Sequence, residues 1–138
     1  MTKNILVVDD DAAILESFKH VLQSKGYNVE TAETGQEAIE KTKNQTFDLA
    51  LLDIKLLDMK GTKLLTTMHE NMPKMVKIMI TGYPELRNAV EALNRGADAY
   101  IIKPVKPEEL LKVVKEKLRE QEEAEEKYEV RRILKSWK

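Results

Sequence analysis

Cysteine is absent from the 138 residues, which excludes disulfides, thiolate catalysis and cysteine-ligated zinc and leaves the redox compartment undetermined. Long apolar runs are absent as well. The opening "MTKNILVVDD" carries four apolar residues in a row before its acids, too few for a signal peptide, and no run approaches the roughly 20 residues of a membrane-spanning helix. Nor is there an excess of one charge: 23 Lys and Arg stand against 24 Asp and Glu, so the summed charge offers no footprint for direct nucleic-acid binding. No G-x-x-x-x-G-K-[ST] stretch is present, which argues against a phosphate-loop NTPase. Histidine is scarce: His20 falls off the apolar face of its helical pattern and His69 lies near the end of another. Both read as solvent-exposed residues, not phosphoacceptors or metal ligands. These absences leave a soluble, cytoplasmic chain as the expectation.

What is present suits one domain with a proper core, since 42% of the residues are hydrophobic. Four short apolar runs, "ILVV" (5–8), "LALL" (49–52), "KIMI" (77–80) and "AYII" (99–102), are continuous in the manner of parallel strands covered on both faces. "YNVET" (27–31) alternates instead and suits a half-exposed edge strand.

Helical patterns lie between the runs. Ile14, Phe18, Val21 and Leu22 share one helix face, with Gly26 as the stop. Thr34 and Glu37 match a capping box, with Ala38 and Ile39 facing inward. Leu64, Leu65 and Met68 stripe a helix over 62–70; Leu86, Ala89, Val90 and Leu93 stripe another that follows Pro84 and stops at Gly96. Pro107, Glu108 and Glu109 open a last helix with Leu110, Leu111, Val113, Val114 and Leu118 as its core face. Strands alternating with helices predict an α/β fold, a doubly wound five-stranded parallel sheet. With the alternating strand at an edge, the flavodoxin-like order 2-1-3-4-5 follows, with helices on both faces.

Ligands in such sheets bind beyond the carboxyl ends of the strands. Strand one delivers Asp9 and Asp10 there, strand three Asp53, strand four Thr81 and Gly82, strand five Lys103. Any one of them has a structural explanation, and Asp11 reads as a helix N-cap. Polar groups following the apolar runs of four buried strands are a different matter. Clustered carboxylates repel unless a cation neutralises them, and oxygen ligands without His or Cys favour Mg²⁺. With Mg²⁺ present a carboxylate can attack phosphorus to give an aspartyl phosphate. Asp53, isolated at the sheet centre, is the better-placed nucleophile, with Asp9 and Asp10 on the metal and the Thr81 hydroxyl and Lys103 on the phosphoryl oxygens.

The segments "ILVVDDD", "DLALLDIKLLDMKG", "MITGYPE" and "GADAYIIKPVKPEEL" together resemble the response-regulator receiver domains of two-component signalling, CheY-like proteins, over residues 3–118. The resemblance implies that Asp53 accepts a phosphoryl group from a sensor histidine kinase or a phosphotransfer protein. It also implies that Asp9, Asp10, Asp53 and the Lys55 backbone carbonyl bind Mg²⁺, that Thr81 and Lys103 bind phosphate, and that Tyr100 is a switch aromatic coupled to Thr81. In the family the Lys103–Pro104 peptide is usually cis. In the family the positions two after the acceptor and two after the threonine, here Lys55 and Tyr83, tune phosphate lifetime. Leu57 stands where the family commonly has proline, and Lys60 where it has aspartate, so the loop after Asp53 is expected to be less constrained.

Asp9 and Asp11 form a D-x-D like that of haloacid-dehalogenase-like phosphatases, but Ala13 stands where those carry threonine, and a cap domain and a late acidic pair are missing. An unphosphorylated protein-interaction module would keep the pocket unused. Past Leu118, residues 120–129 hold six acids and one base and residues 130–138 four bases and no acid. This stretch, 119–138, reads as a charged continuation of the last helix beyond a 1–118 receiver domain. It is too short for a DNA-binding output domain, so the chain is expected to be a stand-alone receiver or a fragment, a phosphoacceptor and not an enzyme acting on a free substrate. Val130, Ile133, Leu134 and Trp137 form a second apolar stripe. Expected partners are the phosphoryl donor and a downstream effector protein, with homodimerisation through the helix-four/strand-five face or the terminal helix as candidate assemblies.

Overall fold

A computed structural model describes residues 2–82 and 86–137. In chain order it runs β1 (Asn4–Val8), α1 (Ala12–Gln23), β2 (Asn28–Ala32), α2 (Gly35–Asn44), β3 (Leu49–Asp53), α3 (Gly61–Asn71), β4 (Val76–Thr81), α4 (Leu86–Asn94), β5 (Ala99–Ile102) and α5 (Pro107–Ser136). The five strands form one parallel sheet in the order β2-β1-β3-β4-β5. Ile5 pairs with Val29 on one side and Leu49 on the other, so β1 and β3 lie inside the sheet.

Alternation along the strands divides the core into two layers. Ile5, Val7, Leu51, Ile78 and Ile80 meet Leu15, Phe18 and Leu22 of α1 and Leu110, Val114 and Leu118 of α5. Leu6, Val8, Leu52 and Met79 meet Ala38 of α2, Leu64, Leu65 and Met68 of α3 and Ala92 of α4. Leu64 and Leu65 are wholly buried, each contributing about 2 kcal/mol of transfer free energy.

Local signals set the helix ends. The Asp11 carboxylate accepts from the Ala13 and Ile14 amides at 2.9 and 3.3 Å, and Thr34 Oγ1 accepts from the Glu37 amide at 3.1 Å. Gly26 and Gly96 sit at φ +87° and +106°, left-handed positions that close α1 and α4 at little cost for glycine.

Three placements differ from expectation. In α4, Val90 and Leu93 are 48% and 54% exposed while Ala92 is fully buried; the helix rests on its small side chains and leaves the larger apolar ones on the flank. "AYII" is not covered on both faces, because β5 ends the sheet and Ile102 is 49% exposed. Lys77, inside an apolar run, is buried, and its Nζ donates to the Met72 and Pro73 carbonyls at 3.0 and 3.4 Å. Burial pushes its ammonium pKa down, against the opposing charge of Asp98.

α5 continues past Leu118. Its 30 residues span about 45 Å, starting at the rim where β5 ends. At the opposite rim Gln121 Nε2 donates to the Asp48 and Lys74 carbonyls at 3.1 and 2.8 Å, and Lys74 Nζ lies 5.4 Å from the Tyr128 ring centre. Beyond Tyr128 the side chains of Val130, Ile133, Leu134 and Trp137 are exposed. Among the described residues no helix is long and apolar enough to cross a membrane.

Candidate functional site

At the carboxyl rim the ends of four strands converge. Asp9 follows β1 and is buried; Asp53 ends β3 and Thr81 ends β4, both also buried; Asp10 is exposed beside them. Carboxylate oxygens of Asp9, Asp10 and Asp53 lie within 4.8 Å of one another. From the end of β5, Lys103 Nζ reaches Asp9 Oδ2 at 2.8 Å and Asp53 Oδ1 at 3.5 Å. The second oxygen of Asp9 accepts from the Asp11 amide at 2.9 Å, which folds the turn between β1 and α1 around the site. The Lys103 amide donates to the Thr81 carbonyl at 2.7 Å, so β4 and β5 deliver their polar residues as a unit. The Lys103–Pro104 peptide is cis.

One ammonium shared among three acids leaves negative charge uncompensated. Burial, and then the charge of Asp9, push the Asp53 carboxyl up to about 6, against the lowering effects of Lys103 and the Lys55 amide, which donates to it. For Lys103, burial acts downward, but its hydrogen bond to Asp9 and the charges of Asp53 and Asp9 outweigh it and its pKa rises. It stays a cation at neutral pH. The donor set is oxygen alone, acidic and short of positive charge, which suits a hard divalent cation.

Lys55 follows Asp53 by two residues and its side chain is exposed. Gly82 is exposed just past β4, and a side-chain carbon built on it meets nothing within 4 Å. Met79 pairs with Tyr100 across β4 and β5. Tyr100 packs, half-buried, against the same core layer as Met79, and alternation puts Thr81 on that face too. Tyr83 and Pro84 lie outside the described residues. His20 and His69 are exposed, as expected.

Two residues of the loop after Asp53 matter more than their sequence context suggested. A Cβ on Gly61 would fall 2.1 Å from the Asp53 carbonyl oxygen and 2.6 Å from Ile54 Cα, so the chain returns to β3 through space that only glycine leaves open. Asp58 accepts from the amides of Gly35 and Gln36, each at 2.9 Å. The looseness expected from Leu57, which is 84% exposed, is thereby offset. A loop-terminal glycine is a visible signal for the first; nothing local marks the partner of the second.

The model of the response regulator receiver domain matches residues 5–115. The chain belongs to this family. The receiver is 56% identical to a CheY-like response regulator receiver domain protein of Methanospirillum hungatei, with a TM-score of 0.88 over 90% of this chain and 99% of that one. NtrX of Brucella abortus superposes with a TM-score of 0.90 at 30% identity, over 95% of this chain and 30% of NtrX. The alginate biosynthesis transcriptional regulatory protein AlgB of Pseudomonas putida is 37% identical over 106 residues, 77% of this chain and 24% of AlgB. The receiver thus spans about a quarter of that curated relative. Its Asp9, Asp10 and Asp53 cluster matches the acceptor site of receiver-domain phosphorylation chemistry; of the D-x-D pair, Asp9 belongs to that cluster and Asp11 caps α1. Family membership implies a phosphoryl-donor partner.

Proposed function

We propose that this receiver accepts a phosphoryl group on Asp53 from a phosphohistidine of a sensor kinase or phosphotransfer protein. The observation that carries the reading is the buried Asp53 carboxylate at the sheet centre, flanked by Asp9 and Asp10 and bridged by Lys103. An Asp53 oxygen forms the new O–P bond as the P–N bond to imidazole breaks, and the leaving nitrogen keeps the electron pair and recovers a proton. Asp9, Asp10, Asp53 and the Lys55 carbonyl would hold Mg²⁺, which when bound neutralises the carboxylates and offsets charge on the phosphoryl oxygens. Lys103 transfers its hydrogen bonding toward those oxygens, joined by the Thr81 hydroxyl and the backbone of Gly82.

Movement of Thr81 toward the phosphoryl group shifts a conformational equilibrium through Tyr100 on the same sheet face. Partly exposed Val90, Leu93 and Ile102 on α4 and β5 form the apolar surface that an effector protein or a second copy reads. Lys55 and Tyr83 tune the lifetime of the phosphoryl group, Tyr83 by restricting the attacking water.

Intact-mass analysis after incubation with Mg²⁺ and phosphoramidate tests the reading. A gain of one phosphoryl group is expected in the wild type, and none in Asp53→Asn or with excess chelator. An unmodified wild type, also after incubation with phosphorylated kinase, would leave an interaction module with an unused pocket.

A further inference from the structure

The loop 54–60 links the acceptor strand to α3. At its base the Gly61 amide donates to the Ile54 carbonyl at 2.8 Å, and Lys55 and Lys60 form an isolated antiparallel bridge. Its tip would swing freely on that base, yet it is fastened to a different element. The two carboxylate oxygens of Asp58 divide between two amides at the start of α2, Oδ1 on Gly35 and Oδ2 on Gln36. The next amide, of Glu37, is taken by Thr34 Oγ1, and that of Ala38 by the Thr34 carbonyl at 3.1 Å. The Ala38 bond is the first of the helix's own ladder; of the three first-turn donors that α2 cannot satisfy internally, the loop after Asp53 meets two and the Thr34 hydroxyl one.

Met59 adds a steric catch. A Cβ on Gly35 would lie 2.5 Å from Met59 Sδ, so the thioether sits where a larger residue at position 35 would stand. The bidentate contact and the catch adjoin one another on the loop that carries Lys55, whose carbonyl the proposed cation site uses. A loop backbone already in place favours that site, because a carbonyl on a wandering loop pays its ordering entropy at binding.

We propose that Asp58, seated on the α2 N-terminus with Met59 over Gly35, is a positioning residue that pre-orders the 54–60 loop for divalent-cation binding at the acceptor site. It touches neither the cation nor the phosphoryl group; α2 serves as its anchor. The backbone bonds to Gly35 and Gln36 hold its carboxyl below the usual range, so the anchor is ionised at neutral pH. The inference rests on the receiver reading of the site.

The test is a Mg²⁺ titration of the full chain, followed by amide chemical shifts, on wild type, Asp58→Ala, Asp58→Asn and Asp9→Asn, with thermal unfolding of each metal-free protein. Asp58→Ala is expected to weaken Mg²⁺ binding about fivefold, equivalent to about 1 kcal/mol, with Asp58→Asn intermediate because its amide oxygen still accepts one bond. Shift changes between metal-free wild type and Asp58→Ala should extend along 54–60 to Lys55. Unchanged Mg²⁺ affinity in Asp58→Ala beside a lowered unfolding midpoint would reduce the contact to a helix cap and overturn the inference. Should the alanine variant fail to fold, the asparagine variant decides alone, and wild-type affinity in it would count against the proposal. Saturable binding by wild type, lost in Asp9→Asn, keeps the receiver reading intact whatever Asp58 does; no binding by wild type would overturn both.

Discussion

Asp53 is a carboxylate kept where its charge is costly. Its folded-state value of about 6, set first by burial and then by Asp9, lies above the ordinary aspartate value near 4. A raised carboxyl stabilises the fold by holding its proton: the contribution is fully present below about pH 4 and is lost as the pH rises through about 6. In metal-free protein Asp53→Asn is therefore expected to be more stable than wild type above pH 6, by up to about 3 kcal/mol. The gap should close below about pH 4. Denaturant unfolding across that range measures it; a variant less stable than wild type at pH 7.5 would mean that the Lys103 bond outweighs burial. The acids and Lys103 are legible in the sequence because they stand at the carboxyl ends of short apolar runs. Asp58 is not, since its partners lie more than twenty residues away on α2.

At the scale of elements, continuous apolar runs identified β1, β3 and β4, and alternation identified the edge strand β2. Two features escaped periodicity. Lys77 reads as polar, but its amine ends on the carbonyls that close α3, a fit that depends on where α3 stops. The turn of α4 depends on how closely Ala92 can approach the sheet, and a stripe drawn from residue hydrophobicity favours Val90 and Leu93 instead. The β3–α3 connection yields the sharpest prediction at this scale. Gly61→Ala must displace the Asp53 carbonyl or the Ile54 backbone, at about 1–3 kcal/mol for overpacking. Denaturant unfolding should show that loss, and phosphoramidate labelling of the folded variant should slow about tenfold if the barrier rises by about 1.4 kcal/mol with the shift. Wild-type labelling in a destabilised variant would separate the loop from the chemistry.

Across the whole molecule, the acceptor site and the free end of α5 lie at opposite rims of the sheet. α5 begins beside Lys103, and its later contacts, from Gln121, Glu122 and Tyr128, reach Asp48, Lys74 and Lys3, residues that precede β3, β4 and β1. Ile133→Glu combined with Leu134→Glu is accordingly expected to leave the rate of Asp53 labelling within about twofold of wild type, a difference under 0.5 kcal/mol. A larger change in the labelling time course would show that the two ends are coupled.

The proposed function stands on Asp53 as the carrier of the phosphoryl group. Borohydride reduction of the phosphorylated protein, followed by peptide mapping, tests it most directly, because reduction of an aspartyl phosphate leaves homoserine at the modified position. Homoserine at position 53, formed only after phosphorylation with Mg²⁺ present, is the predicted result. Homoserine at Asp9 or Asp10 instead, with Asp53 intact, would contradict the account.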